Sequence, residues 1–471
     1  MDINEMIDEL REKIIISTLE LVKIKSLQGE AQPGMPFGEG VSKVLNKALE
    51  ISKALGFTTR DIDGFIGYAE YMPEGIDPNS EDYIGVLGHL DVVPEGTGWT
   101  YPPYGGEIHK GKIYGRGTTD DKSPIVAALY GLKAVKELNL PLSKKVRIIF
   151  GTNEETGCGE IKHYLAKEKP PVAGFTPDAQ YPIIYAEKGI TVFDIRKMLD
   201  QTLVNDKGVD IIRLEGGLAA NMVPANCEAE IKTEDTTGVL KIIDEFVIEK
   251  GFDINYEVLK DTIVLYSKGK AAHGSLPEQG QNAIMQLFLL LGKLQVKGKD
   301  LNDFIAFMNK YVALENHGEA LGIGLSDEPS GKLSFNVGVA TLTGSDITLA
   351  LNLRYPVTNT YEDMMVPFNK MLEGEGIVVI NMLHMKPLYY PKDHPLIKTL
   401  CEVFVDYTGL TAEPLAIGGG TYAKEMPNIV AFGPIFPGKP DLDHQVDEYV
   451  EIEDLILNAK IYGEAIYRLA K

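Results

Sequence analysis

One apolar stretch, Tyr83 to Pro94 (YIGVLGHLDVVP), constrains the fold of this chain more than any other segment. Its β-type residues predict a buried strand that reaches His89 and, two residues later, Asp91. Residues two apart in an extended chain point to the same side, so the imidazole and the carboxylate would lie side by side. A metal-bound histidine usually donates its second ring N–H to a carboxylate, which makes His89 a candidate ligand and Asp91 its orienting partner. The simpler alternative is a strand end with a surface histidine and an Asp-Val turn.

Acidic residues follow other predicted strands in the same half of the chain. Lys144 to Phe150 predicts a buried strand that leads to Glu154 and Glu155, and a strand-like region that ends at Phe175 precedes Asp178. Alternating strands and helices predict an α/β domain, in which functional sites gather at the carboxyl edge of the sheet. A solvated acidic turn is the ordinary alternative for the two glutamates.

Two further segments carry candidate residues. The segment TTDDK places Asp120 directly before a predicted helix, with Ser123 as its N-cap and Pro124 in its first position. Acidic residues there also favour the positive end of the helix dipole, which is an explanation without any ligand. His444 lies in DLDHQVDE near the end of the chain. Histidine and carboxylate groups bind divalent metals such as zinc, and two neighbouring ions need a carboxylate to bridge them.

The length of the chain predicts two domains. At 471 residues it exceeds what one hydrophobic core usually supports. Beyond Gly189 the pattern changes to half-exposed strands such as TVFDIRK, CEAEIKT and ALNLRYP, with a helix around Asn282 to Leu294, which predicts an α+β domain with an antiparallel sheet. Helical character returns from about Pro387. We therefore expect one domain of about residues 1–187 and 386–471, interrupted by a second of about residues 188–385.

Composition argues against several classes of function. The three cysteines show no C-x-x-C spacing, so neither a disulfide framework nor a thiolate metal site is indicated, and a reducing cytoplasm fits best. The N-terminal segment lacks the apolar core of a signal peptide, and the longest apolar stretch, near residues 284–294, is too short to span a membrane. A net charge of −22 repels phosphate backbones and anionic lipids, so we expect neither nucleic acid nor membrane as a partner.

Motifs along almost the whole chain carry a family resemblance. They are, in order, GHLDVVP, YGRGTTDDK, GTNEET, PDAQYP, GGLAANMVP, AAHGSLPEQGQNA and the segment around His444. This ordered set resembles the di-zinc metallopeptidase family that includes aminoacylase, succinyl-diaminopimelate desuccinylase, glutamate carboxypeptidases and carnosinase. Within that family, GTNEET, PDAQYPII and IGGGTYA are most similar to PepV-type dipeptidases. The resemblance implies a zinc-aminopeptidase-like, three-layer α/β/α catalytic domain with an inserted α+β lid domain.

The resemblance also implies two zinc ions. Their ligands would be His89 and Asp178 for one ion and Glu155 and His444 for the other, with Asp120 as the bridge. Co²⁺ or Mn²⁺ could replace zinc in such a mixed site. The family usually has a cis peptide bond after the bridging aspartate, which here joins residues 120 and 121.

Other residues receive roles in the reaction. Glu154, left without a metal to bind, would take a proton from the attacking water and pass it to the leaving nitrogen. By resemblance, Asn221 and His273 help to stabilise the oxyanion, and Arg354 binds the free carboxylate of the substrate. Outside this family context, His273 would be a turn residue and Arg354 a charge at a strand end. Loop N–H groups that could bind the same carboxylate belong to Gly419, Gly420 and Thr421.

Together these residues predict a cytoplasmic, zinc-dependent dipeptidase that acts as a monomer on small, unblocked peptides. The alternative is an N-acyl amino-acid deacylase, such as a desuccinylase or an enzyme like acetylornithine deacetylase. Many deacylases of the family carry Asp where Tyr422 stands here, which favours the dipeptidase. A non-catalytic peptide-binding protein would be expected to lack Glu154 or Asp120, and both are present.

Overall fold

The computed structural model describes residues 1–200 and 208–471. These residues form two compact units. Unit 1 comprises Met1–Tyr185, Tyr390–Leu415 and Gly420–Lys471, and unit 2 comprises Ala186–Tyr389 and Ala416–Gly419. In sequence, unit 2 is therefore an insertion into unit 1.

Ten α-helices occur in the described residues. They are α1 (Ile3–Val22), α2 (Glu39–Ala54), α3 (Lys122–Glu137), α4 (Gly159–Leu165), α5 (Thr236–Lys250), α6 (Ala283–Leu291), α7 (Lys299–Tyr311), α8 (Tyr361–Leu372), α9 (Pro395–Thr408) and α10 (Ile452–Ala470). Three short 3-10 turns are Glu154–Thr156, Pro277–Gln279 and Tyr422–Lys424. Among the helices in residues 1–200 and 208–471, none combines the length and the apolar character that crossing a bilayer requires.

The strands of the first half of the chain are β1 (Thr58–Ile62), β2 (Ile66–Tyr71), β3 (Tyr83–His89), β4 (Glu107–His109), β5 (Lys112–Tyr114), β6 (Lys145–Gly151), β7 (Ala173–Thr176), β8 (Ala179–Gln180), β9 (Ile184–Glu187), β10 (Gly189–Met198), β11 (Asp210–Gly216), β12 (Met222–Val223) and β13 (Asn226–Lys232). The later strands are β14 (Asp253–Val258), β15 (Thr262–Lys268), β16 (Ala272–His273), β17 (Ser326–Asp327), β18 (Gly331–Lys332), β19 (Ser334–Leu342), β20 (Asp346–Tyr355), β21 (Ile377–Met385), β22 (Leu388–Tyr389), β23 (Leu415–Ile417), β24 (Ile429–Ala431), β25 (Pro434–Ile435) and β26 (Tyr449–Glu451).

The main sheet of unit 1 has the strand order β1-β2-β6-β3-β7-β24-β9. Strand β3 lies between β6 and β7 and is parallel to both, whereas β1 and β2 are antiparallel additions. Strands β3 and β6 are buried along their whole length, and helices α3 and α10 pack against both. The α/β class predicted from the sequence is confirmed. Because three parallel strands end at one edge of the sheet, the residues that follow them are brought together there.

The start of helix α3 differs from the sequence prediction. The helix begins at Lys122, so Ser123 is not its N-cap and Pro124 is not its first residue, and those two expectations were wrong. Asp121 occupies the N-cap position, and its Oδ2 accepts the main-chain N–H of His89 at 3.1 Å instead of capping the helix. The peptide bond between residues 120 and 121 is cis, as the resemblance implied. The side chain at the N-cap position thus bonds to strand β3, and the helix lacks the side-chain cap that the sequence predicted.

Unit 2 is built on an antiparallel sheet with the order β14-β15-β13-β11-β19-β20-β10-β21. Buried and half-buried residues alternate along β10, which is the pattern that the sequence showed. Helix α6 packs on β13, β15 and β19, and Asn282 caps it by accepting the N–H of Met285 at 3.1 Å. The predicted α+β insertion with an antiparallel sheet is confirmed.

Candidate active site

Five candidate residues lie at the carboxyl edge of the main sheet of unit 1. His89 is the last residue of β3, Glu154 and Glu155 form the 3-10 turn after β6, and Asp178 follows β7. Asp120 lies directly before helix α3. Their convergence follows from topology, since β3 is parallel to β6 on one side and to β7 on the other.

Asp120 contacts two histidines through its two carboxylate oxygens. Oδ1 lies 2.7 Å from Nε2 of His89, and Oδ2 lies 3.2 Å from Nε2 of His444, which comes from the loop between β25 and β26. His444 Nε2 is also 3.0 Å from Glu155 Oε2, and His89 Nε2 is 3.9 Å from Asp178 Oδ2. The atoms therefore divide into a His89–Asp178 side and a His444–Glu155 side, with Asp120 between them.

The chemistry of these atoms fits divalent metal ions. Ligand atoms of His89, Glu154 and Asp178 lie within 4.8 Å of one another, and so do those of His89, Asp120 and Glu155. His89 Nε2 is buried, and its contact with Asp120 lacks hydrogen-bond geometry. Glu155 Oε1 is likewise buried without a hydrogen-bond partner. Buried polar atoms normally find partners, so these atoms in a cluster of imidazoles and carboxylates indicate ligands for a cation.

The crowded charges shift several pKa values. Burial lowers the pKa of His89, but the carboxylate of Asp120 outweighs it, and the net pKa lies well above its usual value. Hydrogen bonds to Asp120 and to a second carboxylate raise the pKa of His444 to about 11. Burial and the carboxylate of Asp178 raise the pKa of Glu154 well above its usual value. The site thus concentrates negative charge, which bound cations would neutralise.

Asp91 orients both His89 and the acidic turn. Its Oδ1 accepts the main-chain N–H of Glu154 and its Oδ2 accepts that of Glu155, both at 3.2 Å. His89 Nδ1 lies 3.0 Å from the carbonyl oxygen of Asp91 and 3.5 Å from its Oδ1. With Nδ1 directed at these acceptors, Nε2 faces Asp120. The carbonyl oxygen, rather than the carboxylate expected from the sequence, is the nearer partner of the ring.

Glu160 supports the same turn, and sequence reasoning missed it. Its Oε1 accepts the main-chain N–H groups of Thr152 at 3.1 Å and Asn153 at 3.0 Å, and the Tyr422 hydroxyl donates to the same oxygen. Burial raises the pKa of Glu160 and of Tyr422. Four successive main-chain N–H groups, from residue 152 to residue 155, thus donate hydrogen bonds to the buried carboxylates of Asp91 and Glu160. A glutamate in so short a helix carries no sequence signal that separates it from a solvated residue.

Asn221 and His273 lie close together in unit 2. Strand β12 pairs with β16, and the carbonyl of Asn221 accepts the N–H of Gly274 at 2.7 Å. His273 Nδ1 lies 2.6 Å from Ser275 Oγ and 3.3 Å from the Ser275 main-chain nitrogen. A main-chain N–H can only donate, so Nδ1 accepts this bond and the ring proton lies on Nε2. That tautomer makes His273 a hydrogen-bond donor through Nε2.

Arg354 is a buried cation in unit 2. Its side chain is 5% exposed, its Nε donates to Asn352 Oδ1 at 3.0 Å, and its Nη1 donates to the carbonyl of Gly418. No carboxylate of residues 1–200 and 208–471 pairs with the guanidinium, and burial lowers its pKa to about 10. A buried charge of this kind is costly unless a partner of opposite charge is supplied. The arrangement therefore suits an anionic ligand.

The glycine-rich segment IGGGTYA divides between the two units. Gly419 belongs to unit 2, whereas Gly420 and Thr421 belong to unit 1. Thr421 Oγ1 accepts the N–H of Ala423 at 3.2 Å and so caps the 3-10 turn that follows. Binding of substrate by these three residues stays a prediction.

An α/β sheet with imidazole and carboxylate groups at its carboxyl edge is the arrangement of a metal-dependent hydrolase. The sequence matches peptidase family M20/M25/M40 over residues 85–468, and the chain belongs to this family of metallopeptidases. It is therefore an enzyme that hydrolyses peptide bonds. The family inferred from the sequence motifs is confirmed.

Named relatives and solved structures agree with this assignment. The chain is 40% identical to "Putative dipeptidase YtjP" of Bacillus subtilis (strain 168), over 98% of this chain and 98% of that protein. It is 33% identical to a "Putative dipeptidase" of Staphylococcus epidermidis, over 99% of this chain and 97% of that protein. Human carnosine dipeptidase 1 has a similar fold, with a TM-score of 0.57 and 15% identity over 99% of this chain and 98% of that one.

Proposed function

We propose that this chain is a zinc-dependent dipeptidase that hydrolyses the amide bond of unblocked dipeptides. The observation that carries the proposal is the placement of Asp120, whose two oxygens face His89 and His444. This geometry supports two cations that share one bridging carboxylate. The names of the relatives, "Putative dipeptidase YtjP" and "Putative dipeptidase", support the substrate class.

The metal ligands in this proposal are all residues of unit 1. His89 and Asp178 would hold one ion and Glu155 and His444 the other, with Asp120 as the shared ligand. Bound there, such ions would lower the pKa of a coordinated water and polarise the carbonyl of the amide. Mixed imidazole and carboxylate ligands suit Zn²⁺, and they also accept Co²⁺ or Mn²⁺.

Glu154 moves the proton in this proposal. Its carboxylate takes a proton from the attacking water and returns it to the leaving nitrogen. In the protein without bound cations, burial and Asp178 raise its pKa. Asn221 and the Nε2–H of His273 donate hydrogen bonds to the oxygen of the tetrahedral intermediate.

Arg354 selects the substrate by its free carboxylate. A guanidinium can donate two parallel hydrogen bonds to a carboxylate, and this one is buried without an acidic partner in the described chain. A dipeptide places that carboxylate one residue beyond the bond to be cleaved. A substrate without a free carboxylate would leave the buried charge unpaired.

The test of the proposed function is a substrate panel. Purified protein with Zn²⁺ is assayed on Ala-Ala, Leu-Leu, β-Ala-His, a tripeptide, and N-acetyl and N-succinyl amino acids, and the assay is repeated with a chelator. We expect turnover of the unblocked dipeptides that disappears with the chelator. Turnover of the acylated compounds alone would overturn the proposal in favour of a deacylase. Absence of any turnover by metal-loaded protein would point to a peptide-binding protein.

Replacing Arg354 by methionine is expected to lower kcat/KM for Leu-Leu by about 10- to 100-fold, because a charged hydrogen bond to the substrate is lost. Hydrolysis of Leu-Leu amide, which has no carboxylate, is expected to be unchanged. The variant is expected to change Tm little, because the loss of the hydrogen bonds to Asn352 and Gly418 is offset by the removal of a buried charge that has no acidic partner among the described residues. Kinetics on both substrates and a thermal melt measure these effects.

The matched control for this variant is Arg213→Met in the same unit. Arg213 pairs with Glu215 and Glu228 on a partly exposed surface. Its replacement is therefore expected to leave kcat/KM unchanged for both substrates. Equal losses on Leu-Leu and its amide in Arg354→Met would contradict carboxylate recognition by Arg354.

A further inference from the structure

Glu448 is a buried carboxylate that contacts the loop before helix α3. It is 0% exposed. Its Oε1 accepts the main-chain N–H groups of Thr119 at 2.7 Å and Asp120 at 3.3 Å. Its Oε2 accepts the main-chain N–H of Gly117 at 3.1 Å and a guanidinium N–H of Arg116 at 2.8 Å. One side chain thus binds three main-chain N–H groups of the loop that presents Asp120.

The same residue belongs to the segment that presents His444. It follows His444 by four positions, and its own carbonyl accepts the N–H of Gly115 at 3.0 Å. Arg116, which is 2% exposed, also donates through Nη1 to the carbonyl of Gln445 at 3.1 Å. The Arg116–Glu448 pair therefore joins the two loops by side-chain and main-chain bonds.

His444 needs such external support. Its φ is 63°, in the left-handed region that residues other than glycine rarely adopt. A backbone in this region persists only when its surroundings determine it. Its side chain is 54% exposed, so packing around the imidazole supplies little of that support. Glu448 and Arg116 supply several of the bonds that tie its segment to the neighbouring loop, where the Thr119 hydroxyl also donates to the carbonyl of Tyr449 at 3.0 Å.

We propose that Glu448 is a positioning residue that sets the distance between Asp120 and His444, and hence the affinity of the site for the ion these two residues share. This inference rests on the proposed function, because it assumes the two-ion site. Glu448 does not itself face the ion, since all of its described contacts are with N–H and O–H donors of the loop. Support from outside the ligand set typically changes metal affinity by about 10- to 100-fold.

The variant that tests this is Glu448→Gln, which keeps the size of the side chain but places an amide nitrogen against N–H donors. Zinc binding to the chelator-stripped protein is measured by isothermal titration, and the Tm of the stripped protein is measured alongside. We expect two zinc sites in the wild type and, in Glu448→Gln, one site weakened by about 10- to 100-fold. Arg116→Lys, which keeps the charge but loses the planar fork, is expected to show a smaller loss at the same site.

The control is Glu70→Gln. Glu70 pairs with Arg147 at 2.7 Å in the same unit and contacts none of the proposed ligands among the described residues. The Glu70→Gln variant is expected to bind both zinc ions with wild-type affinity, even if its Tm changes.

Two outcomes would overturn the inference. One is wild-type zinc affinity in folded Glu448→Gln with only a lowered Tm, which would show a structural role. The other, should Glu448→Gln fail to fold, is wild-type zinc affinity in Arg116→Lys. A wild-type protein that binds no zinc would instead count against the proposed function, so the two failures are distinguishable.

Discussion

Replacing Glu154 by glutamine is expected to lower kcat for Leu-Leu by about 10²- to 10⁴-fold, the usual contribution of a general acid or base. Glutamine fills the same space and leaves the main-chain bonds from residues 154 and 155 to Asp91 intact. Zinc content and KM are therefore expected to change little. Burial and Asp178 raise the pKa of this carboxyl group, and the acidic limb of the kcat/KM profile is expected to report its protonation. The pH profile of the residual activity of the variant is expected to lack this acidic limb.

The control for this experiment is Glu168→Gln. Glu168 is half-buried like Glu154 but pairs with Arg147 at 2.9 Å, and its loss is expected to leave kcat unchanged. Steady-state kinetics over a range of pH, with metal content measured on each sample, check the prediction. A Glu154→Gln enzyme with two zinc ions and wild-type kcat would show that another group moves the proton. A variant that has lost zinc would show instead that Glu154 helps to hold the metal.

The convergence of the acidic residues in unit 1 was predictable because it depends on strand order alone. His89 ends a strand, Glu155 and Asp178 each follow one, and adjacent parallel strands bring their carboxyl ends to one edge. Each residue was ambiguous by itself, and the ordered motifs were needed to select among the alternatives. Their chemical roles stay predictions that the variants described here would test.

The supporting carboxylates could not be predicted in the same way. Glu160 and Glu448 bind main-chain N–H groups, so the loops that they order show no matching side-chain pattern. Glutamate is almost always exposed, and burial of a carboxylate depends on the tertiary arrangement of distant N–H donors. The prediction of Ser123 as an N-cap was wrong because of a similar tertiary contact. Buried Asp121 occupies the N-cap position, and its side chain bonds to strand β3.

Strands β10 and β19 of unit 2 show how the burial pattern affects what the sequence can predict. Strand β10 alternates between buried and half-buried residues, and its sequence TVFDIRK shows that alternation. Strand β19 lies between β11 and β20 and is buried for most of its length, so its sequence does not alternate. A short apolar run without alternation cannot be distinguished from a buried helix by periodicity.

Replacing Asp120 by asparagine is expected to lower kcat/KM by more than about 10³-fold, because metal-ion polarisation is worth several kcal/mol in the transition state and each 1.36 kcal/mol is tenfold in rate. The carboxylate has an oxygen toward each histidine, at 2.7 Å from His89 and 3.2 Å from His444. An amide offers one oxygen and one NH₂ group, and the NH₂ cannot bind a cation. Zinc content is expected to fall below two ions per chain, and a chelator should reduce wild-type activity to the same level.

Asp63→Asn provides the matched control, because Asp63 also contacts a histidine, His163, at 2.8 Å, but lies outside the cluster of proposed ligands. This variant is expected to keep both zinc ions and wild-type kinetics. If Asp120→Asn also retained two tightly bound zinc ions, Asp120 would not be the bridge, and the two histidines that it contacts would have to bind their ions independently. If it retained two ions and lost activity, the carboxylate would be needed for the reaction rather than for assembling the site. Only a parallel loss of zinc and of activity, absent from Asp63→Asn, supports a bridge whose two oxygens are both required.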